Sequence, residues 1–331
     1  MKRILPILIL FALLLTACAA PAEPVNDEPS EPPVLERLEI VSYPDRTEYA
    51  AGEIFDPTGL VVNAIMSDGS VQENVEWSSE ETVIVNRMES VKVECLGKKL
   101  TIPVKVYLAG NAEEYSVANT ATVENSPVKG NTYFWLGSSV TFGASSEEES
   151  MVDFFAKKWD CTCIKEAVSG TKLTAAASQS YVERFNKYLE SADRAEHLDG
   201  FICQLSTNDT SDPKGFGMVM PDMITDYTYF DTATTFGAME YIAAKVKEVW
   251  GCPVYFYTNP PFGNANYVPM VEALELMAPK WDITIIDMYR DEEFNAITDA
   301  ERALYMADTI HPTKAGYRDW WLPKFEEAII K

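Results

Sequence analysis

Residues 133–146, YFWLGSSVTFGASS, join an apolar run to two adjacent serines. The strand-like run TYFWLG, residues 132–137, carries no charged residue, which predicts a β-strand buried on both faces, as in a parallel sheet. Ser138 and Ser139 follow this strand. Ligands of open parallel sheets bind beyond the carboxyl ends of the strands. We therefore expect these serines to lie where chemistry takes place.

Further apolar runs follow along the chain, with helical periods between them. Met239, Ile242, Ala243, Val246 and Val249 form one such period, at i, i+3, i+4, i+7 spacing. Alternating strands and helices predict a three-layer α/β/α domain with a central parallel sheet, over residues 131–331. The additional strand-like runs are CTCIKEAV (161–168), GFICQLS (200–206), PVYFYTN (253–259) and ITIIDMY (283–289).

Residues 35–108 have a different sequence pattern, in which short runs of β-forming residues are separated by turn residues. The sequence SDGS at 67–70 predicts a hairpin turn, and the strand spacing predicts a small all-β sandwich. The segment resembles bacterial immunoglobulin-like surface domains. It contains no catalytic constellation, so we expect a spacer, with weak binding of cell wall or glycan as the alternative. Residues 109–130 are interpreted as a linker to the second domain.

The N-terminus has the layout of a secretory signal peptide. Residues 1–18 contain two cations, an apolar run too short to span a membrane, and small residues that end at Cys18. The motif LTAC resembles the lipobox of bacterial lipoproteins, which predicts lipidation of Cys18; an ordinary cleavage site is the alternative. Residues 19–34 are rich in Pro and acidic residues and predict an extended tether. The predicted location is the outer face of a bacterial membrane, with the lipid as the sole membrane contact.

Charge and residue counts exclude several function classes. The chain has 27 Lys+Arg against 51 Asp+Glu, a formal net charge of −24, which repels nucleic acid. Two histidines at unrelated positions predict no metal site, and no motif predicts a cofactor. The remaining cysteines form neither a disulfide framework nor a zinc pattern, and two of them alternate along one predicted strand. They are Cys95, Cys161, Cys163, Cys203 and Cys252.

A serine becomes a strong nucleophile only when a base accepts its proton, so a histidine with an orienting carboxylate is required. His197 ends a polar helical segment, which is typical of a solvated surface residue. His311 lies near the C-terminus in DTIH, three residues after Asp308. That spacing allows the carboxylate to hold Nδ1 of the ring while Nε2 faces a serine. Pro312 and Gly316 predict a sharp turn before the amphipathic C-terminal segment.

At this point four ordered sequence blocks resemble the SGNH, or GDSL-like, ester hydrolases. The first block is GSSVTFG, in which Ser139 matches the nucleophile and Ser138 replaces the usual aspartate. The glycine of the second block matches Gly170 in EAVSGTKL. The third block is STND, in which Asn208 matches the asparagine and Ser206 replaces a glycine. The fourth block is DTIH.

The resemblance implies a serine esterase that works through an acyl-enzyme. Ser139 is then the nucleophile, while His311 and Asp308 complete the triad. The backbone N–H groups of Ser139 and Gly170, with the side-chain amide of Asn208, form the oxyanion hole. The expected substrate is an O-acetyl group of a carbohydrate, with a lysophospholipase or arylesterase activity as the alternative.

Two interpretations without catalysis stay open. The serines near residue 139 are typical of helix caps, and Asn208–Asp209 is typical of an Asx turn. Replacement of the first-block aspartate by Ser138 also keeps open a surface protein that binds glycans on a hydrolase fold without turnover.

Overall fold

The structure is a computed structural model, and it describes residues 32–51, 53–85 and 88–330. The predicted signal peptide, Cys18 and most of the tether lie outside the described residues.

The N-terminal region consists of β-strands around a core of its own. Tyr49, Val62 and Ile102 are fully buried in this core. β3 and β4 pair antiparallel across residues 67–70, which confirms the predicted hairpin. β1 joins them in one sheet, β5 pairs antiparallel with β6, and β2 pairs parallel with β7. The strands are β1 (Leu35–Ser42), β2 (Glu48–Ala50), β3 (Val61–Met66), β4 (Val71–Gln72), β5 (Ser90–Cys95), β6 (Lys98–Pro103) and β7 (Lys105–Tyr107).

The second region is built on a five-stranded sheet in the order β12-β11-β10-β8-β9, and every neighbouring pair is parallel. This confirms the predicted parallel sheet. All five strands lie within the apolar runs picked out from the sequence. They are β8 (Thr132–Gly137), β9 (Thr162–Ala167), β10 (Gly200–Gln204), β11 (Val254–Tyr257) and β12 (Ile283–Ile286).

Helices cover both faces of this sheet because successive strand residues point to opposite sides. Phe134 packs with the helices of one face, α3, α4 and α5, whereas Trp135 packs with α2 and α8 on the other. The α-helices are α1 (Ser139–Phe142), α2 (Met151–Trp159), α3 (Tyr181–Leu189), α4 (Thr235–Val249), α5 (Tyr267–Trp281), α6 (Glu292–Asn295), α7 (Asp299–Tyr305) and α8 (Leu322–Ile329).

The predicted turn at Gly316 is wrong. A helix begins at Lys314, continues as a π-helix over Gly316–Trp321 and leads into α8. The glycine serves close packing instead, because a Cβ there would lie 2.0 Å from the Tyr305 carbonyl oxygen. The chain reverses at the histidine itself, where Met306 and Pro312 form an isolated antiparallel bridge.

Residues 109–130, interpreted above as a linker, pack against the α/β region. Three short 3-10 turns, Ala109–Asn111, Glu113–Tyr115 and Val117–Asn119, open this segment. Val123 N–H donates to the Lys158 carbonyl at the end of α2. The predicted boundary at residue 131 therefore divides two segments, residues 109–130 and the α/β region, that are joined by hydrogen bonds.

The cysteines of the described region are free thiols. Cys161 and Cys163 lie on one side of β9, as predicted, with their sulfur atoms 4.0 Å apart. They are half-buried rather than buried, because β9 is an edge strand. Among the described residues, no helix is long and apolar enough to cross a membrane.

Candidate active site

Ser139, His311 and Asp308 form one hydrogen-bonded chain. Ser139 Oγ lies 2.8 Å from His311 Nε2. His311 Nδ1 lies 2.9 Å from Asp308 Oδ2 and 3.0 Å from Oδ1. Ser139 is 8% exposed, so most of the residue is covered. These distances are those of a nucleophile, a base and a group that orients the base.

The carboxylate of Asp308 is held in its charged form. Burial raises its pKa, but hydrogen bonds from the His311 ring and from the backbone N–H groups of His311 and Ile310 outweigh burial, so the pKa lies well below its usual value. A charged carboxylate at Nδ1 fixes the ring tautomer that presents Nε2 as an acceptor for the serine proton.

A strand end and a loop bring the triad together. Ser139 begins α1 just after β8, which lies between β10 and the edge strand β9. His311 lies in the tight loop after α7, where Ala307 N–H donates to the His311 carbonyl and the bridge at Met306 closes the loop. Asn259 Nδ2, just beyond β11, donates to the Ile310 carbonyl at 3.2 Å and links this loop to the sheet.

The predicted oxyanion donors lie at the ends of β9 and β10, the strands on either side of β8. Gly170 adopts a φ of +78°, which favours glycine, and its N–H has no acceptor in the described part of the chain. Asn208 Nδ2 donates one hydrogen to the Thr171 carbonyl at 3.0 Å. Because an amide carries two hydrogens, the second remains for a ligand. The Asx-turn alternative is not realised, since the side chain bonds to the neighbouring loop.

Asp209, which the sequence suggested only as part of an Asx turn, joins the same two loops. Its carboxylate accepts from Leu173 N–H at 2.9 Å and from Thr235 Oγ1 at 3.0 Å. Burial raises its pKa, while these hydrogen bonds act in the opposite direction. The loop that carries Gly170 is thus tied to the end of β10 by a buried carboxylate as well as by Asn208.

Ser138 does not cap α1; its hydroxyl turns toward Gln204 instead. Gln204 Oε1 accepts from Ser138 N–H at 2.8 Å, Ser138 Oγ at 3.1 Å, Thr141 Oγ1 at 3.0 Å and Tyr181 Oη at 3.3 Å. The turn at Ser138 is therefore anchored by a side chain at the end of β10. The sequence did not predict a role for Gln204, because a single glutamine at the end of a strand belongs to no motif.

Arg184 holds the same turn from the other side. Its guanidinium donates to the Gly137 carbonyl at 2.8 Å and to Thr171 Oγ1 at 3.2 Å, and it pairs with Glu166 at 3.0 Å. One buried cation on α3 thus links the residue before Ser138 to the residue after Gly170. The sequence did not predict this role, because Arg184 lies in an ordinary amphipathic helix with no motif around it.

The other histidine lies apart from these groups. The His197 side chain is 75% exposed, as predicted for a surface residue, and lies 3.3 Å from Asp199. Within the described ranges, no group of three or more His, Cys, Asp or Glu side chains is arranged to hold a metal ion.

The chain is similar in fold to several solved structures. A protein from Lactobacillus plantarum is 20% identical, with 60% of this chain and 96% of that chain covered and a TM-score of 0.49. An acetylxylan esterase from Geobacillus stearothermophilus is 12% identical, with 61% and 95% covered and a TM-score of 0.42. A carbohydrate acetylesterase family member from Sinorhizobium meliloti is 16% identical, with 60% and 99% covered and a TM-score of 0.39.

No protein-family model and no curated protein match this chain. At these identities and TM-scores, the solved structures do not decide the function.

Proposed function

We propose that this protein is a serine ester hydrolase of the SGNH type that acts through an acyl-enzyme. The observation that carries the proposal is the hydrogen-bonded chain from Ser139 Oγ through His311 to Asp308. It lies at the carboxyl ends of parallel strands, where open α/β sheets bind their ligands. The four ordered sequence blocks that resemble this family supply the same residues.

Acylation begins when Ser139 Oγ attacks the ester carbonyl carbon and His311 Nε2 takes the hydroxyl proton. The carbonyl oxygen becomes an oxyanion, which the N–H groups of Ser139 and Gly170 and the free hydrogen of Asn208 Nδ2 stabilise. The tetrahedral intermediate then collapses: the bond to the alcohol oxygen breaks, and His311 returns the proton to that oxygen. The alcohol leaves, and Ser139 carries the acyl group.

Deacylation repeats these steps with water. His311 Nε2 accepts a proton from a water molecule, whose oxygen attacks the acyl carbon. Collapse breaks the bond to Ser139 Oγ, which takes the proton back from His311. The products are a carboxylic acid and the restored hydroxyl. The charged form of Asp308 stabilises the imidazolium that exists in both halves of the reaction.

We favour O-acetyl groups of polysaccharides or oligosaccharides as the substrate. The support is indirect: a protein tethered outside a bacterial membrane and carrying an N-terminal immunoglobulin-like module meets glycans. Cleavage and lipidation at Cys18, the surface location and the immunoglobulin-like nature of residues 35–108 all form part of this proposal. Lysophospholipids and aryl esters are the alternative substrates, and glycan binding without turnover is the alternative function.

The test compares acetate release from acetylated xylan with hydrolysis of p-nitrophenyl acetate, p-nitrophenyl octanoate and a lysophospholipid. Wild-type protein and Ser139→Ala are assayed side by side, with Ser138→Ala as the matched serine control. We expect activity that Ser139→Ala abolishes and Ser138→Ala keeps, with acetyl esters preferred to octanoyl esters.

Each other outcome has its own meaning. Preference for octanoate or lysophospholipid would replace the glycan substrate by the alternative. Activity that survives in Ser139→Ala would refute the nucleophile. Glycan binding by both proteins without release of acid would favour the surface protein that lacks turnover.

A further inference from the structure

Residues 109–119, which precede the parallel sheet, contact both the loop that follows the Ser139 helix and the loop that carries Asp308 and His311. We call this stretch the clasp segment. The nucleophile loop, residues 143–149, follows the short helix that begins at Ser139. The histidine loop, residues 306–314, contains Asp308 and His311. The proposed catalytic mechanism uses none of the clasp segment.

One side chain of the clasp segment bonds to both loops. Asn111 Nδ2 donates to the Ser145 carbonyl in the nucleophile loop at 2.8 Å. Lys314 N–H, at the end of the histidine loop, donates to Asn111 Oδ1 at 2.9 Å. A carboxamide supplies a donor and an acceptor on one rigid group, and here each atom meets its complement. Asn111 therefore spans the two loops directly.

The neighbouring residue brings the backbone of the clasp segment onto the base of the histidine loop. A Cβ on Gly110 would lie 2.0 Å from the Leu304 carbonyl oxygen and 2.3 Å from Thr313 Oγ1. Thr313 Oγ1 itself donates to that Leu304 carbonyl at 2.7 Å. Only glycine allows this close approach of the two backbones. The approach fixes the distance between the Asn111 amide and the histidine loop.

A second set of contacts runs parallel to the first. Glu149 in the nucleophile loop accepts from Val117 N–H at 3.0 Å. The Lys314 side chain is 5% exposed, and its ammonium lies 2.6 Å from Glu147 and 3.8 Å from Glu149. The nucleophile loop is thus held both to the clasp segment and to the residue that ends the histidine loop.

We propose that the clasp segment is a positioning element of the active site, in which Asn111 fixes the nucleophile loop against the histidine loop and so holds Ser139 Oγ at its distance from His311 Nε2. The inference rests on the proposed function in treating that pair as reactive. A misplacement of about 1 Å between reacting groups costs about 100-fold in rate, and the loss of one bridging side chain from an otherwise intact loop pair should cost less.

The experiment uses the full chain with Asn111→Ala, and Asn131→Ala as the matched control. Asn131 lies outside the clasp segment, before β8 and so at the other end of that strand from Ser139, and its Nδ2 donates to Tyr133 Oη at 3.3 Å. The first readout is reaction with a fluorophosphonate, whose inactivation rate kinact and apparent affinity KI are measured separately. The second readout is the NMR signals of the two imidazole rings, in which His197 serves as an internal reference.

We expect Asn111→Ala to lower kinact by about 10-fold with KI unchanged, and to shift the ring signals of His311 but not those of His197. Asn131→Ala should match the wild type in both readouts. A role confined to stability would lower Tm but leave kinact and the His311 signals unchanged well below Tm, and that result would overturn the proposal.

A second variant and a second criterion allow the proposal to be tested even if Asn111→Ala does not fold or the wild type does not react. Asn111→Asp keeps an acceptor for Lys314 N–H but turns an oxygen toward the Ser145 carbonyl, so it should also lower kinact; if Asn111→Ala does not fold, this variant takes its place. If the wild type does not react with the fluorophosphonate, the proposed function fails. The His311 signals alone then support or refute the clasp.

Discussion

Gln204 Oε1 accepts hydrogen bonds from both the backbone N–H and the hydroxyl of Ser138, at 2.8 and 3.1 Å. The two residues lie at the ends of adjacent parallel strands, β10 and β8. Through this pair the turn before Ser139 is held from outside the turn itself. Because Gln204 belongs to β10, the position of Ser138 depends on the neighbouring strand as well as on the residues of its own turn.

Gln204→Met should therefore destabilise the protein and slow catalysis together. The change keeps the side-chain volume but leaves the buried Ser138 N–H without an acceptor, which costs about 1–3 kcal/mol of unfolding free energy. Chemical denaturation measures the stability, and ester hydrolysis measures the rate. Ser138→Ala, which removes one of the four donors, should cost less.

A double-mutant cycle tests whether these two residues act through each other. In the Gln204→Met background, Ser138→Ala should have a smaller effect than in the wild type, because the acceptor it bonded to is already gone. Strictly additive effects would show that the pair is not coupled.

Replacing the two histidines separates the base from the surface residue. His311→Gln should lower kcat by about four orders of magnitude, since the proton of Ser139 then has no acceptor. His197→Gln should leave kcat and KM at wild-type values because its side chain is 75% exposed and faces only Asp199. A similar loss in both variants would contradict the assignment.

Asn208→Ala should lower kcat by about 100- to 1,000-fold while KM changes little, because an oxyanion donor acts mainly in the transition state. Asn266→Ala is the matched control: its Nδ2 donates to the Thr210 carbonyl at 2.9 Å, much as Asn208 Nδ2 donates to Thr171 at 3.0 Å. If the two variants lose kcat equally, loop anchoring explains the effect and the oxyanion role fails.

The depressed pKa of Asp308 predicts how stability responds to acid. A carboxylate with a lower pKa in the folded state stabilises that state fully above its ordinary value of 3.8, and this contribution is lost as pH falls through the folded pKa. The stability advantage of wild type over Asp308→Asn should therefore be largest near neutral pH and shrink below about pH 4. Denaturation at a series of pH values measures it, with the exposed Asp222→Asn as background. A pH-independent difference would refute the shift.

Much of the α/β fold follows from local patterns. The five apolar runs each became a strand because a strand buried on both faces needs a continuous run, as Tyr133–Leu136 illustrates. No turn forms at Gly316, because this glycine instead allows close packing against the Tyr305 carbonyl oxygen. Tyr305 lies on the other side of the histidine loop, so the residues next to Gly316 do not reveal the contact.

In the candidate site, too, some residues could be predicted from local sequence and others could not. Ser139, Asp308 and His311 were selected because few residue types perform this chemistry and the chain has only two histidines. Gln204, Arg184 and Asn111 were missed because their roles depend on partners that lie far from them along the chain, as Ser145 does from Asn111. Glutamine, arginine and asparagine at such positions carry no local signal.

The central claim is that Ser139 is the activated nucleophile, and the most direct measurement is the site of covalent labelling by a fluorophosphonate. The reagent loses fluoride and bonds to an activated serine oxygen, so intact mass and peptide mapping give both stoichiometry and position. The account predicts one adduct per chain, on Ser139, absent from Ser139→Ala and from His311→Gln. An adduct on Ser138, an adduct that persists in Ser139→Ala, or an unlabelled wild-type protein would contradict it.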